Sequence, residues 1–281
     1  MLEFWYKIVD ILLPFEWTNH EFMKNALLAI LLLTPLFGLL GTMVVSNRMA
    51  FFSDSIGHGA FTGIALGALL AGIRPIWGAV LFSTLFAITI TIIKNKSRAS
   101  TDTIIGVFSS TAVAVGLVIM SSGGNINQYS SYLVGDLLSI APFEILLLLI
   151  AFIVIILLWL LIFNRVLLIS INQSLAASRG VNTLLVEILF TVAIAVIVTI
   201  TIQWVGLLII NSLLVLPAAA SRNVTNNVRQ YHAVSVGVSM LSGIAGLIMS
   251  YYWNTASGAT IVLIAAALFF ILFLLRKRFA S

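Results

Sequence analysis

Cysteine is absent from these 281 residues, which excludes disulfides, thiolate metal sites, iron-sulfur clusters and cysteine nucleophiles within the chain. Charge is nearly as scarce. Only 8% of the residues are Asp, Glu, Lys or Arg, against roughly a quarter in an ordinary soluble domain, while 61% are hydrophobic. That balance describes an integral membrane protein. No His-Glu-x-x-His run is present to build a zinc hydrolase, and no Gly-x-Ser-x-Gly elbow to expose a serine nucleophile, so an intramembrane enzyme has little to work with. The first 24 residues lack a basic region ahead of a small-residue cleavage site and do not resemble a signal peptide. The longest polar gaps, 121–141 and 164–182, are too short for a soluble domain. Any ATP-hydrolysing machinery is therefore expected on another chain. The net charge of +5 points to membrane topology and not to nucleic acid, because its placement matters more than its sum.

What is present is a succession of apolar runs of about 20 residues, the length that spans a bilayer, near 25–46, 50–72, 75–93, 102–121, 142–163, 183–201, 204–220, 231–252 and 258–275. The expected fold is an all-α bundle of eight or nine transmembrane helices. The count drops to eight if the sixth and seventh runs, scarcely separated around 202–204, are partly re-entrant rather than a very tight hairpin. Residues 1–24 read as an amphipathic lead-in with Trp5, Tyr6 and Trp17 at the interface, and 25–281 as one transmembrane domain. With the N-terminus outside and the C-terminus inside, Arg48, Lys94, Lys96, Arg98, Arg165, Arg179, Arg222, Arg229, Arg276, Lys277 and Arg278 fall on the cytoplasmic side. Only Lys7, Lys24 and Arg74 fall outside, the asymmetry that the positive-inside rule demands.

Ser53 to Gly63, Ser-Asp-Ser-Ile-Gly-His-Gly-Ala-Phe-Thr-Gly, places two polar groups inside the second run. A carboxylate near the middle of a membrane helix costs about 2.5–3.5 kcal/mol on insertion scales, so it normally faces a partner or a pathway. Asp54 and His58 stand at i and i+4, on one helix face, and offer an oxygen and an imidazole nitrogen to one point. That pair suits a divalent transition metal. The competing account makes Ser53 and Asp54 ordinary helix-start residues, which leaves His58 unexplained. Ser55, Gly59, Gly63 and Gly67 recur every four residues beside them, a stripe expected to let two copies of this helix approach closely. His20 and His232 read as interfacial, and Glu187 and Asp102 as first-turn carboxylates. Asp136 and Glu144 are placed outside, where they could at most draw cations. Pro217 is expected to kink or end the seventh run, and Gly243 and Gly246 to serve packing. A short helix is expected near 132–138 in the outer gap. In the inner one, about 165–180, residues 172–179 suit a short helix stopped by Gly180.

Met49-Ala50-Phe51-Phe52-Ser53-Asp54-Ser55-Ile56-Gly57-His58, the segment from Val205-Gly206-Leu207-Leu208 to Leu216-Pro217-Ala218-Ala219-Ala220, and Ser257-Gly258-Ala259-Thr260-Ile261-Val262-Leu263 together resemble a family. They are similar to the permease subunits of bacterial ABC-type importers of manganese, zinc or iron. The resemblance implies a chain of the bacterial plasma membrane that works as a pair with a second copy. Its other implied partners are two cytoplasmic ATPase subunits and an extracytoplasmic metal-binding protein, with no covalently bound cofactor and a divalent metal ion as cargo. Asp54 and His58 match the family's Asp-x-x-x-His, and 172–180 matches its ATPase-contacting loop, with Asn172 and Gln173 where an acidic residue is common. Two alternatives stand beside this reading: a proton-coupled secondary metal transporter, which would work alone, and an ABC-type importer of metal chelates, which would want a wide aromatic-lined cavity and no ligand pair. An aspartate oxygen and a histidine nitrogen serve manganese, zinc and iron alike.

Overall fold

The computed structural model describes residues 2–69, 74–123 and 135–279, and among these the regular structure is entirely helical. In chain order the helices are α1 (Leu2–Leu12), α2 (Glu21–Ser46), α3 (Phe52–Leu69), α4 (Pro75–Lys96), α5 (Thr101–Gly123), α6 (Pro142–Ile171), α7 (Gln173–Ser178), α8 (Thr183–Val205), α9 (Leu207–Arg222), α10 (Val228–Trp253) and α11 (Ser257–Phe279). A helix occupies each of the nine expected runs. Seven of them, α2, α4, α5, α6, α8, α10 and α11, are long and apolar enough to cross a membrane. The other two are α3, with 18 residues and Asp54 in its first turn, and α9, with 16. At 1.5 Å per residue α9 is about 24 Å long, short of a hydrocarbon core of about 30 Å.

The chain divides into two compact units, one of Met1–Thr42, Gly135–Phe152 and Trp204–Ser281, the other of Met43–Val134 and Ile153–Gln203. In the first, small residues let α2 meet its neighbours. A Cβ on Gly38 would stand 2.7 Å from the Val236 Cα of α10, one on Gly41 would overlap the Leu214 carbonyl of α9, and Gly243 closes on Ile30 and Thr34. Gly246 does the same against Ile261 of α11, so both glycines expected to serve packing do so. The Ser235 hydroxyl adds a 2.7 Å bond to the Gly38 carbonyl.

The aromatic residues of the lead-in are used partly within the fold. Trp17 is buried, and Trp5 and Tyr6 tie α1 to the start of α2, the indole N–H donating to the Lys24 carbonyl at 2.9 Å and the phenol to Asn25 Oδ1 at 2.7 Å. Lys24 itself pairs with Asp10 at 2.6 Å. Phe4, Ile11, Leu12, Phe15 and Phe22 are exposed. Indole and phenol carry a donor that can satisfy polar groups at a helix start, whereas these side chains cannot.

Between α8 and α9 the one non-helical residue is Gly206, at φ +87°, so the break falls just beyond the expected 202–204. Gly135, also at positive φ, lies so close to the Val205–Gly206 backbone that a Cβ would overlap it. Of the expected helix near 132–138, residues 132–134 lie outside the described residues. What is described is one 3-10 turn, Leu137–Ser139, whose Leu138 N–H is accepted by Asp136. Glu144 Oε2 accepts from Trp204 Nε1 at 3.0 Å and from the Ala141 N–H at 2.8 Å. Glu144 thus ties the start of α6 to Trp204, while Asp136 caps the 3-10 turn and stays exposed. Pro217 does not end its helix, because α9 continues to Arg222.

In the second unit α7 meets the expectation for 172–179. Asn172 caps it by accepting from the Leu175 N–H, and Gly180 takes φ +77° while the Val181 N–H returns to the Ala176 carbonyl at 3.1 Å, a left-handed helix stop. Nearby, α4 and α8 run antiparallel and are joined by buried hydroxyl pairs, Thr91 to Thr191 at 2.9 Å and Ser83 to Thr199 at 2.6 Å. Each step back along α4 is matched by an equal step forward along α8. Midway between those pairs the register sets Ala87 against Ala195, both fully buried.

Candidate metal site

The turn from α2 into α3 is closed by a left-handed residue, Arg48 at φ +56°, with the Met49 N–H bonded to the Val44 carbonyl at 2.9 Å. That closure lets α3 begin at Phe52 and puts Asp54 in its first turn, where the exposed N–H groups of the helix end favour a negative charge. One turn later stands His58. Its Nε2 is 3.6 Å from Asp54 Oδ2, with the side chains 26% and 39% exposed respectively. A tetrahedral ion holding nitrogen and oxygen at about 2.1 Å would separate them by about 3.4 Å. The pair therefore stands within a few tenths of an ångström of the bite that a metal needs, and both donors are reachable.

Two neighbours fix α3. On one edge a Cβ at Gly63 would meet the Ala79 Cα at 2.7 Å and the Gly78 carbonyl at 2.8 Å, Gly67 faces Pro75, and the Phe86 ring covers Gly59. On another, the Thr62 hydroxyl bonds the Ala112 carbonyl of α5, where Gly116 makes room. The glycine stripe is thus occupied by α4 of the same chain, which corrects the expectation that it serves the approach of a second copy. A helix nearer in sequence uses the smooth edge first. The edge of Asp54 and His58 is left partly open, as the 100° step between Gly59 and His58 implies.

No group of three or more His, Asp or Glu side chains able to hold an ion is present among the described residues. His20 stacks on Phe22 with ring centroids 5.1 Å apart, and His232 lies edge-on to Tyr231. Glu187 is more than a helix-start carboxylate. It is 12% exposed and lies 3.4 Å from Lys94 Nζ, and its Oε2 accepts from Asn95 Nδ2 at 2.7 Å. Asn95 Oδ1 in turn accepts from Gln173 Nε2 of α7 at 3.0 Å. Sequence reading missed this cluster because Asn95 and Glu187 are 92 residues apart and neither belongs to a local motif.

Comparison with known proteins adds four findings. The ABC 3 transport family matches residues 19–276. The chain is 29% identical over 92% of its length to the high-affinity zinc uptake system membrane protein ZnuB of Haemophilus influenzae, covering 99% of that protein. It is 27% identical over 91% of its length to the manganese transport system membrane protein MntC of Listeria monocytogenes, covering 91% of it. Among solved structures, PsaBC from Streptococcus pneumoniae in complex with Fab aligns with a TM-score of 0.79 at 27% identity, over 97% of this chain and 95% of that one.

Proposed function

Since the chain belongs to the ABC 3 transport family, we propose that it is the permease half of an ATP-driven importer of a divalent transition metal ion, with Asp54 and His58 as ligands during passage. It is a multi-pass membrane protein, and its relatives are named for zinc and manganese uptake. The observation that carries the reading is the reachable Asp54–His58 pair at 3.6 Å, incomplete as a site. A closed protein site usually supplies about four ligands. A second copy related by a two-fold axis would contribute the same two, and the cation would relieve the repulsion between two facing carboxylates. With α4 seated on the glycine edge, the copies approach through the Asp54–His58 edge of α3 and not through its glycines. ATP hydrolysis resides on a separate chain docked at α7, and an extracytoplasmic binding protein delivers the ion.

Asp54→Asn and His58→Ala test this directly. Both variants should assemble with the ATPase yet lose uptake of radioactive Mn2+ or Zn2+ in proteoliposomes. Protons compete with the metal for the imidazole nitrogen, so parental uptake should also fall as the medium is acidified. Parental uptake by either variant at equal expression would return Asp54 to the role of a helix-start residue. Ion accumulation by the chain alone, without an ATPase, would favour the proton-coupled alternative.

A further inference from the structure

Asn95 sits where three helices meet. Its amide nitrogen donates to Glu187 of α8 at 2.7 Å and to the Thr91 carbonyl of its own helix at 3.0 Å, while its oxygen accepts from Gln173 of α7. Both amide hydrogens and the amide oxygen are thus engaged. Lys94 lies on the same Glu187 oxygen, so the carboxylate is held from two consecutive residues of α4. From there the Thr91–Thr191 and Ser83–Thr199 pairs continue along α4 and α8. Each such pair is an interhelical bond that sliding of α4 past α8 would break.

The other working face of α4 lies about 100° around the helix. Gly78, Ala79, Phe82 and Phe86 grip Gly59, Gly63 and Gly67 of α3 there, with approach so close that a single Cβ would collide. One helix is therefore fixed on one side to α7 and α8 by polar bonds and on the other to the helix of Asp54 and His58 by interlocked backbone.

We propose that α7, α4 and α8 move as one lever, with Asn95 and Glu187 as the positioning residues that join its cytoplasmic tip to the metal-bearing helix. A displacement imposed on α7 passes through the Gln173–Asn95–Glu187 junction into α4, and α4 carries α3 with it. The proposal rests on the docking of the ATPase at α7. It goes further by naming the side chains that link that contact to the ligands. Without the junction α7 can move while α4 stays, and hydrolysis runs without transport.

The test uses the complete transporter, permease pair with its ATPases and binding protein, in proteoliposomes, with Mn2+ and Zn2+ as probes and ATP hydrolysed per ion moved as the readout. Gln173 is exposed, so Gln173→Leu spares the fold, while Asn95→Leu removes both arms of the junction at similar volume. Each variant should hydrolyse ATP near the parental rate and raise the ATP consumed per ion by about five-fold, the scale on which residues within a coupling network act. A purely structural role would not predict rescue. In the double variant Asn95→Cys with Gln173→Cys, made in a chain with no other cysteine, a short bis-methanethiosulfonate crosslinker, each arm releasing sulfinate as a cysteine thiolate displaces it, should restore the parental ratio, and reduction of its disulfides should abolish it again. Ala177→Cys, crosslinked to the ATPase, reports docking separately. No crosslink from that residue would overturn the docking and this proposal with it. A normal crosslink with a parental ratio in Gln173→Leu and Asn95→Leu, or a bridge that restores nothing, would overturn the lever alone.

Discussion

Glycine 63 and glycine 106 occupy the same kind of membrane helix and have opposite surroundings. A Cβ on Gly63 would press on the backbone of α4, and backbone cannot turn aside as a flexible side chain can, whereas a Cβ on Gly106 would meet nothing within 4 Å. Gly63→Val should therefore lower the thermal midpoint of the detergent-solubilised protein, by a destabilisation of about 1–3 kcal/mol. Gly106→Ala should leave it within about 0.5 kcal/mol. Size-exclusion chromatography after a heating series measures both, and equal midpoints for the two variants would contradict the packing of α3 on α4. The sequence allowed the Asp54–His58 pair to be read because both residues lie on one helix turn, and their spacing alone determines that they meet. It did not allow the partner of the glycine edge to be read, since any smooth helix face would fit. Glu187 is hard to read for a related reason: a carboxylate near a helix start has a local explanation that conceals a distant one.

Among the helices, α7 is the one whose ends were readable, because Asn172 and Gly180 are a cap and a left-handed stop with purely local causes. Its faces were not readable. Ala176 is fully buried, while Leu175, 41% exposed, and Ala177 point outward, so the surface offered to an ATPase excludes Ala176. Leu175→Glu combined with Ala177→Glu should leave the chain in the membrane at parental level and remove co-purification of the ATPase. Retained co-purification would move the docking contact elsewhere. The aromatic residues of α1 taught the opposite lesson. Their types fit an interface, yet their donors are used inside the fold at Lys24 and Asn25, a choice fixed by tertiary geometry that no periodicity carries. Pro217 reads as a kink or a stop, and of the two the stop is excluded because its helix runs on to Arg222.

At the scale of the whole chain, the run of apolar segments separated by short polar gaps made the helix order legible almost in full, because the bilayer allows few other solutions. The expected orientation rests on the basic residues. Ser97 and Ser174 are exposed and fall on the cytoplasmic side of the expected topology. In single-cysteine variants, Ser97→Cys and Ser174→Cys should react with a membrane-impermeant maleimide in inverted vesicles and not in intact cells. Labelling of either in intact cells would overturn the orientation and the assignment of α7 to the ATPase side. The division into two units was not legible, since each unit is assembled from segments remote in sequence and only three-dimensional packing reveals which belong together.

The hydroxyl pairs between α4 and α8 also bear on how the chain is made. Thr91 precedes Thr191 by 100 residues, and at about 5–20 residues per second a ribosome needs about 5–20 s to supply the second from the time of the first. Through that interval α4 sits in lipid without the helix it will face. Its polar side chains are of kinds that tolerate the wait, because each finds an acceptor on its own helix: Thr91 bonds the Ala87 carbonyl at 2.8 Å, Ser83 the Val80 carbonyl at 3.3 Å and Asn95 the Thr91 carbonyl at 3.0 Å. A nascent α4 can thus hold Thr91, Ser83 and Asn95 bonded within its own helix while still carrying the groups that meet α8 once it is synthesised.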